Sequence, residues 1–123
     1  MSQLPALNIP AQNLAREAAR LTLTKRAEDV VILDLRDLAA GVCDYFVVAT
    51  GQSEVQTRAI ADAVDEGMRA RGIRPWHVEG YEARRWILLD YVDFVVHVFH
   101  TRAREYYLLD KLWGDAHRET VAD

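Results

Sequence analysis

Trp86-Ile87-Leu88-Leu89-Asp90-Tyr91-Val92-Asp93-Phe94-Val95-Val96-His97-Val98-Phe99-His100 is the stretch that decides how this chain folds. Two apolar runs, Trp86 to Tyr91 and Phe94 to His100, flank only Val92-Asp93, and that spacing predicts a β-hairpin. The turn is unusual, because tight hairpins prefer Gly, Asn or Asp where φ must be positive. Alternation puts Trp86, Leu88 and Asp90 on one face of the first strand and Ile87 and Leu89 on the other.

Outward from the hairpin, Arg102 to about Asp115 is predicted to be a helix with Tyr106, Leu109, Leu112 and Trp113 on its apolar face. Pro75 to Glu79 is a third strand and suits a sheet edge, since Pro cannot donate to a ladder. Ser53-Glu54-Val55-Gln56 fits a capping box. It opens a helix whose apolar face holds Val55, Ala59, Ile60, Ala63, Val64 and Met68, and Gly72 ends that helix. Val30 to Leu35 and Tyr45 to Ala49 are two further strands, with a turn at Gly41. Pro10 suits a first helical turn, and Leu14, Ala18 and Leu21 carry that helix to about Lys25. The order is α-β-β-α-β-β-β-α, which predicts an α/β domain with a five-stranded mixed sheet flanked by helices. Residues 1–9 form a lead-in, 10–118 one domain, and 119–123 a tail.

The chain has 123 residues, 50% hydrophobic and 28% charged, the balance of a globular domain able to bury one core without staples. No apolar run reaches the ~20 residues needed to span a bilayer. Met1 to Pro10 lacks the basic-then-apolar pattern of a secretory signal, and a cytoplasmic location is expected. The formal net charge of −4 lacks the basic excess of a tight nucleic-acid binder, so DNA is not an expected partner. An acidic surface favours basic protein partners.

Gly51-Gln52-Ser53 lies between a strand and a helix, where phosphate loops and nucleophile elbows occur. Neither GxSxG nor GxxxxGK[ST] is completed, and a helix cap accounts for Ser53. A competing reading is a degenerate nucleotidyltransferase, in which a strand after Gly-Ser bears two carboxylates that hold Mg²⁺. Here that strand offers only Glu79, so no catalytic residue is assigned. His97 and His100 are three apart on a strand and face opposite sides, so they cannot share a metal. His97 reads as a hydrogen-bonded core or interface histidine. The single Cys43 has no local base to activate it. Trp86 has two readings: core packing, or a hot spot on an exposed face.

Several short segments occur in order: Asp44-Tyr45-Phe46, Ala49-Thr50-Gly51-x-Ser53, Ala59-Ile60-Ala61-Asp62, Glu79-Gly80, Trp86-x-Leu88-x-Asp90, Val96-His97-Val98-Phe99, and Arg104-x-x-Tyr107-x-Leu109-Asp110-x-Leu112-Trp113. Together, from about Lys25 to Trp113, they resemble the ribosomal silencing factors, the Iojap-related proteins. Asp110 stands where Glu is more usual in that family, and Val92 where Gly is. The resemblance implies a nucleotidyltransferase-like fold without catalysis, metal or cofactor, often as a homodimer. It also implies binding to the large ribosomal subunit at ribosomal protein L-fourteen, where the bound factor keeps the small subunit from joining and translation falls when nutrients are scarce. Organellar relatives act in large-subunit assembly. The partner-binding surface is expected at Glu79, Gly80, Trp86, Leu88, Asp90, Tyr107 and Asp110.

Overall fold

The computed structural model describes residues 9–37, 43–101, 114 and 116–122. In chain order these form α1 (Ala11–Leu23), β1 (Glu28–Asp34), β2 (Tyr45–Gly51), α2 (Glu54–Arg69), β3 (His77–Glu79), β4 (Trp86–Asp90), β5 (Phe94–His100) and β6 (His117–Thr120). The predicted helix from Arg102 to Asp115, with its apolar face, lies outside the described residues apart from Gly114, which is in a turn, and so does the predicted turn at Gly41.

The sheet has six strands in the order β3-β4-β5-β2-β1-β6, one more than the five expected. The added strand, β6, pairs antiparallel with β1 from Val31↔Thr120 to Asp34↔His117, and so spans residues 118 and 119, between which the tail was expected to begin. His117-Arg118-Glu119-Thr120 carries no apolar alternation because an edge strand buries little and is commonly charged. β2 and β5 pair in parallel, while the other neighbours are antiparallel, so the sheet is mixed as predicted. β2 is buried at every position, which explains its unbroken apolar run: it is central and covered on both faces.

α1 and α2 cover one face. Ala15, Ala18 and Ala19 of α1 and Ile60, Ala61, Val64 and Met68 of α2 pack on Ile32, Val47, Ala49, Ile87, Leu89, Val96 and Val98. The small residues of α1 allow close approach to the sheet. Val55, expected on the apolar face of α2, is 73% exposed. The buried stripe runs through Thr57, Ile60, Ala61, Val64 and Met68, and Val55 lies two residues from it on the outer side. The opposite sheet face gathers a second cluster, Leu33, Leu35, Phe46, Val48, Val95 and Phe99, with Leu88 packed against it.

The predicted cap forms. Ser53 Oγ accepts the Gln56 N–H at 3.0 Å. Gln56 Oε1 reaches back to the Gln52 N–H at 2.7 Å, one residue before the cap. Its amide nitrogen donates to the Lys25 and Arg26 carbonyls, tying α2 to the loop after α1.

The β4–β5 hairpin forms with Trp86↔Phe99, Leu88↔His97 and Asp90↔Val95 opposed. Val92 lies at φ 75° and the Asp93 N–H donates to the Tyr91 carbonyl at 2.9 Å, a γ-turn rarely centred on a β-branched residue. Surrounding bonds hold it: Val92 N–H to Asp90 Oδ1 at 2.8 Å, and Asp44 N–H to the Asp93 carbonyl at 2.9 Å.

Candidate functional site: a tryptophan-centred face on β3 and β4

Five of the seven residues expected at the partner surface fall within the described residues, on β3, β4 and the loop between them. Glu79 opposes Leu88 and His77 opposes Asp90, so Glu79, Trp86, Leu88 and Asp90 share one side, the side away from α1 and α2. Their backs are set by Ile87 and Leu89, both fully buried under the helices. Tyr107 and Asp110 lie outside the described residues.

Trp86 is 38% exposed, so it is neither a closed core residue nor a free one. Its ring stacks on Phe99 across the hairpin, with centroids 5.1 Å apart and planes 24° apart. Its indole Nε1–H donates to His97 Nδ1 at 3.0 Å. The contact runs diagonally between neighbouring strands, within reach of a large ring. These two partners fix both the plane and the rotation of the indole and leave its remaining surface open.

His97 is buried, with Phe46 edge-on to its ring at 4.5 Å. Because Nδ1 accepts from Trp86, it carries no proton, and the neutral ring holds its proton on Nε2. Nε2 is enclosed and finds no partner among the described residues. Burial pushes the His97 pKa down to about 4, so the ring stays neutral and keeps accepting from Trp86 at neutral pH. The hydrogen-bonded histidine expected from sequence is therefore found, but its partner was not foreseen.

Gly80 has a structural task. It sits at φ +80°, and a Cβ there would lie 1.9 Å from the Trp86 carbonyl oxygen. The loop before β4 closes against the backbone of Trp86 only because the side chain is absent. Asp90 is shared between surface and turn, since its Oδ1 holds the Val92 N–H. Glu79 Oε2 lies 2.7 Å from His77 Nε2 at the sheet edge, an exposed pair that sequence reading missed. Beside it Trp76, 75% exposed, was also missed; nothing in its strand pattern separates it from a core residue.

Ser53 caps α2, and among the described residues no group of three His, Cys, Asp or Glu side chains could hold a metal. Burial raises the Cys43 pKa to about 11, which disfavours a thiolate. The β3–β4 face thus combines a part-exposed, hydrogen-bonded tryptophan with the carboxylates of Glu79 and Asp90.

Comparison with known proteins matches the chain to a family. The family model described as "Ribosomal silencing factor during starvation" matches residues 8–123. A protein named ribosomal silencing factor from Bacillus subtilis is 42% identical over 105 residues, covering 85% of this chain and 88% of that one. Another, from Halalkalibacterium halodurans, is 43% identical over 105 residues, covering 85% and 89%. A crystal structure of a Chromobacterium violaceum protein superposes with a TM-score of 0.80 at 29% identity, covering 94% of this chain and 95% of that one. No helix of the described residues is long and apolar enough to cross a membrane. The match spans nearly the whole chain and includes the β3–β4 face, and the chain belongs to the ribosomal silencing factor family.

Proposed function

We propose that this protein binds the large ribosomal subunit through ribosomal protein L-fourteen and, by its bulk, keeps the small subunit from joining, so that translation falls under nutrient limitation. Family membership over residues 8–123 carries the reading. The face built from Glu79, Gly80, Trp86, Leu88 and Asp90 is the partner surface, and the family resemblance adds Tyr107 and Asp110 as contact residues. A held, part-exposed tryptophan is a natural interface anchor, and the surrounding carboxylates together with a net charge of −4 suit a basic ribosomal protein. Blocking by bulk needs no catalytic group, metal or cofactor. The free protein is a cytoplasmic homodimer.

Mixing purified mature subunits with the protein tests this. The protein co-sediments with free large subunits, and the yield of joined ribosomes falls as it is added. Unchanged joining at saturating protein would overturn the silencing mechanism and point instead to a factor acting in large-subunit assembly.

A further inference from the structure

A second surface lies on the helical side of the molecule, and its charge is opposite to that of the chain as a whole. Arg16 and Arg20 stand one turn apart on α1, with Asn13 and Glu17 on the same side. Arg71, just beyond the end of α2, is drawn alongside by its contact with Glu17, Nη2 to Oε1 at 3.5 Å. These residues line a groove of about 490 Å³. Three guanidiniums and one carboxylate line this concave site, with Glu119 against Arg16 beside it, on a protein whose net charge is −4.

The arginines are only loosely occupied. Arg16 Nη2 touches Glu119 of β6 at 3.3 Å, with both side chains about two-fifths exposed (41% and 38%). Arg16 Nε is enclosed without an acceptor among the described residues, so Glu119 satisfies that guanidinium only in part. Arg71 is as open, at 42%. Exposed pairs of this kind contribute little and are readily exchanged for another anion. Arg20 is exposed and forms no ion pair with a described residue.

We propose that this groove binds phosphates of large-subunit RNA, as a second contact that acts together with the tryptophan face; it rests on the large-subunit reading above. Guanidinium forks match phosphate oxygens in pairs. Side chains one turn apart on a helix stand roughly 5–6 Å apart, a spacing that lets Arg16 and Arg20 reach different phosphates of one strand. α1 covers the sheet face opposite Trp86, so the two surfaces point different ways and can be engaged at once. Occupying both raises affinity by making the second contact intramolecular. The net charge of −4 disfavours indiscriminate binding of RNA over the rest of the chain.

The test compares wild type, an Arg20→Gln/Arg71→Gln double variant and an Arg20→Lys/Arg71→Lys double variant. Each is titrated against purified large subunits between about 50 and 200 mM KCl, against the isolated ribosomal protein partner, and against protein-free large-subunit RNA. Each phosphate contact contributes roughly 0.7–0.9 to the slope of log affinity against log salt. The Gln variant is expected to bind subunits roughly 10–100-fold more weakly at the low-salt end, with a slope shallower by about 1.5. Its affinity for the isolated ribosomal protein is unchanged, and the Lys variant keeps the wild-type slope. Parallel salt dependences for wild type and the Gln variant would overturn the proposal. So would an equal loss toward the isolated protein, which would make the groove a protein-binding surface. If wild type does not bind large subunits at all, the large-subunit reading fails. The groove then stands or falls on whether wild type binds the free RNA more tightly than the Gln variant does.

Discussion

Trp86 and His97 act as one unit, and a change at either is felt at the other. Trp86→Ala removes the stack on Phe99 and the hydrogen bond to His97, and leaves a second polar atom of a buried histidine without a partner. The indole is part-exposed, so the variant is expected to stay folded with a stability loss of about 1–3 kcal/mol, smaller than for a closed core aromatic. Large-subunit binding is expected to weaken by ~2 kcal/mol or more. Thermal denaturation and a sedimentation titration separate the two effects. A folded variant with wild-type affinity would remove Trp86 from the interface. A second outcome at this scale concerns pH. The folded pKa of His97 is about 4, below the ordinary value of 6.5, because burial disfavours the cation. Between those values the unfolded chain binds a proton that the native state refuses, so stability rises with pH there. The contribution is complete above pH 6.5 and is lost as pH falls toward 4. It amounts to about 2 kcal/mol between pH 6.5 and 5, before most carboxylates titrate. Denaturant midpoints should fall across that window in wild type, and fall less in His97→Leu. Identical pH profiles would mean that His97 is not held neutral by the fold.

Two turns hold the elements that carry this unit, and they have opposite fitness for their residues. Gly80 at φ +80° leaves no room for a Cβ beside the Trp86 carbonyl, so Gly80→Ala should destabilise by at least ~2 kcal/mol and shift the indole. Val92 at φ 75° occupies a conformation that glycine takes without strain, so Val92→Gly should raise stability by roughly 1 kcal/mol despite the looser unfolded chain. Chemical denaturation of both variants checks this, and a stabilised Gly80→Ala would show that the β3–β4 loop relaxes freely. These turns also mark how far sequence reading reached. The hairpin, the Ser53 cap and the existence of β2 were legible because each leaves a local pattern: period two, a Ser-x-x-Gln spacing, a β-rich run. Trp86, Leu88 and Asp90 were placed on one face by the same period. β6 was not legible, because a charged edge strand carries no alternation. The Trp86–His97 hydrogen bond was not legible either, since it depends on a diagonal contact and a tautomer that only the register defines. Val55 misled because a helix of mixed face admits two stripes, and packing on the sheet selects one.

On the scale of the whole molecule, size and two-sidedness decide what the protein can do on a ribosome. A standard protein contact takes about 800 Å² from each partner. Against an accessible surface of 7283 Å², that is a small share, so engagement through β3 and β4 leaves most of the surface outside the contact. A chain of 123 residues packs to a radius of gyration of about 14 Å. A body of that size, seated where two subunits must meet, separates them by far more than any bridge contact can span. Under the proposed function the block is steric, and its outcome depends on who arrives first. Protein added to large subunits before the small subunit should lower the yield of joined particles in proportion to its occupancy. Protein added to ribosomes already joined should have much less effect, because the same site is covered. Trp86→Ala should shift the first curve to higher concentration by the factor it loses in affinity, without changing the maximal block, since bulk is untouched. Sucrose-gradient profiles of both orders of addition read this directly. Equal inhibition in both orders, read before joined ribosomes dissociate on their own, would mean that the factor dissociates them actively, which the proposed passive wedge does not do.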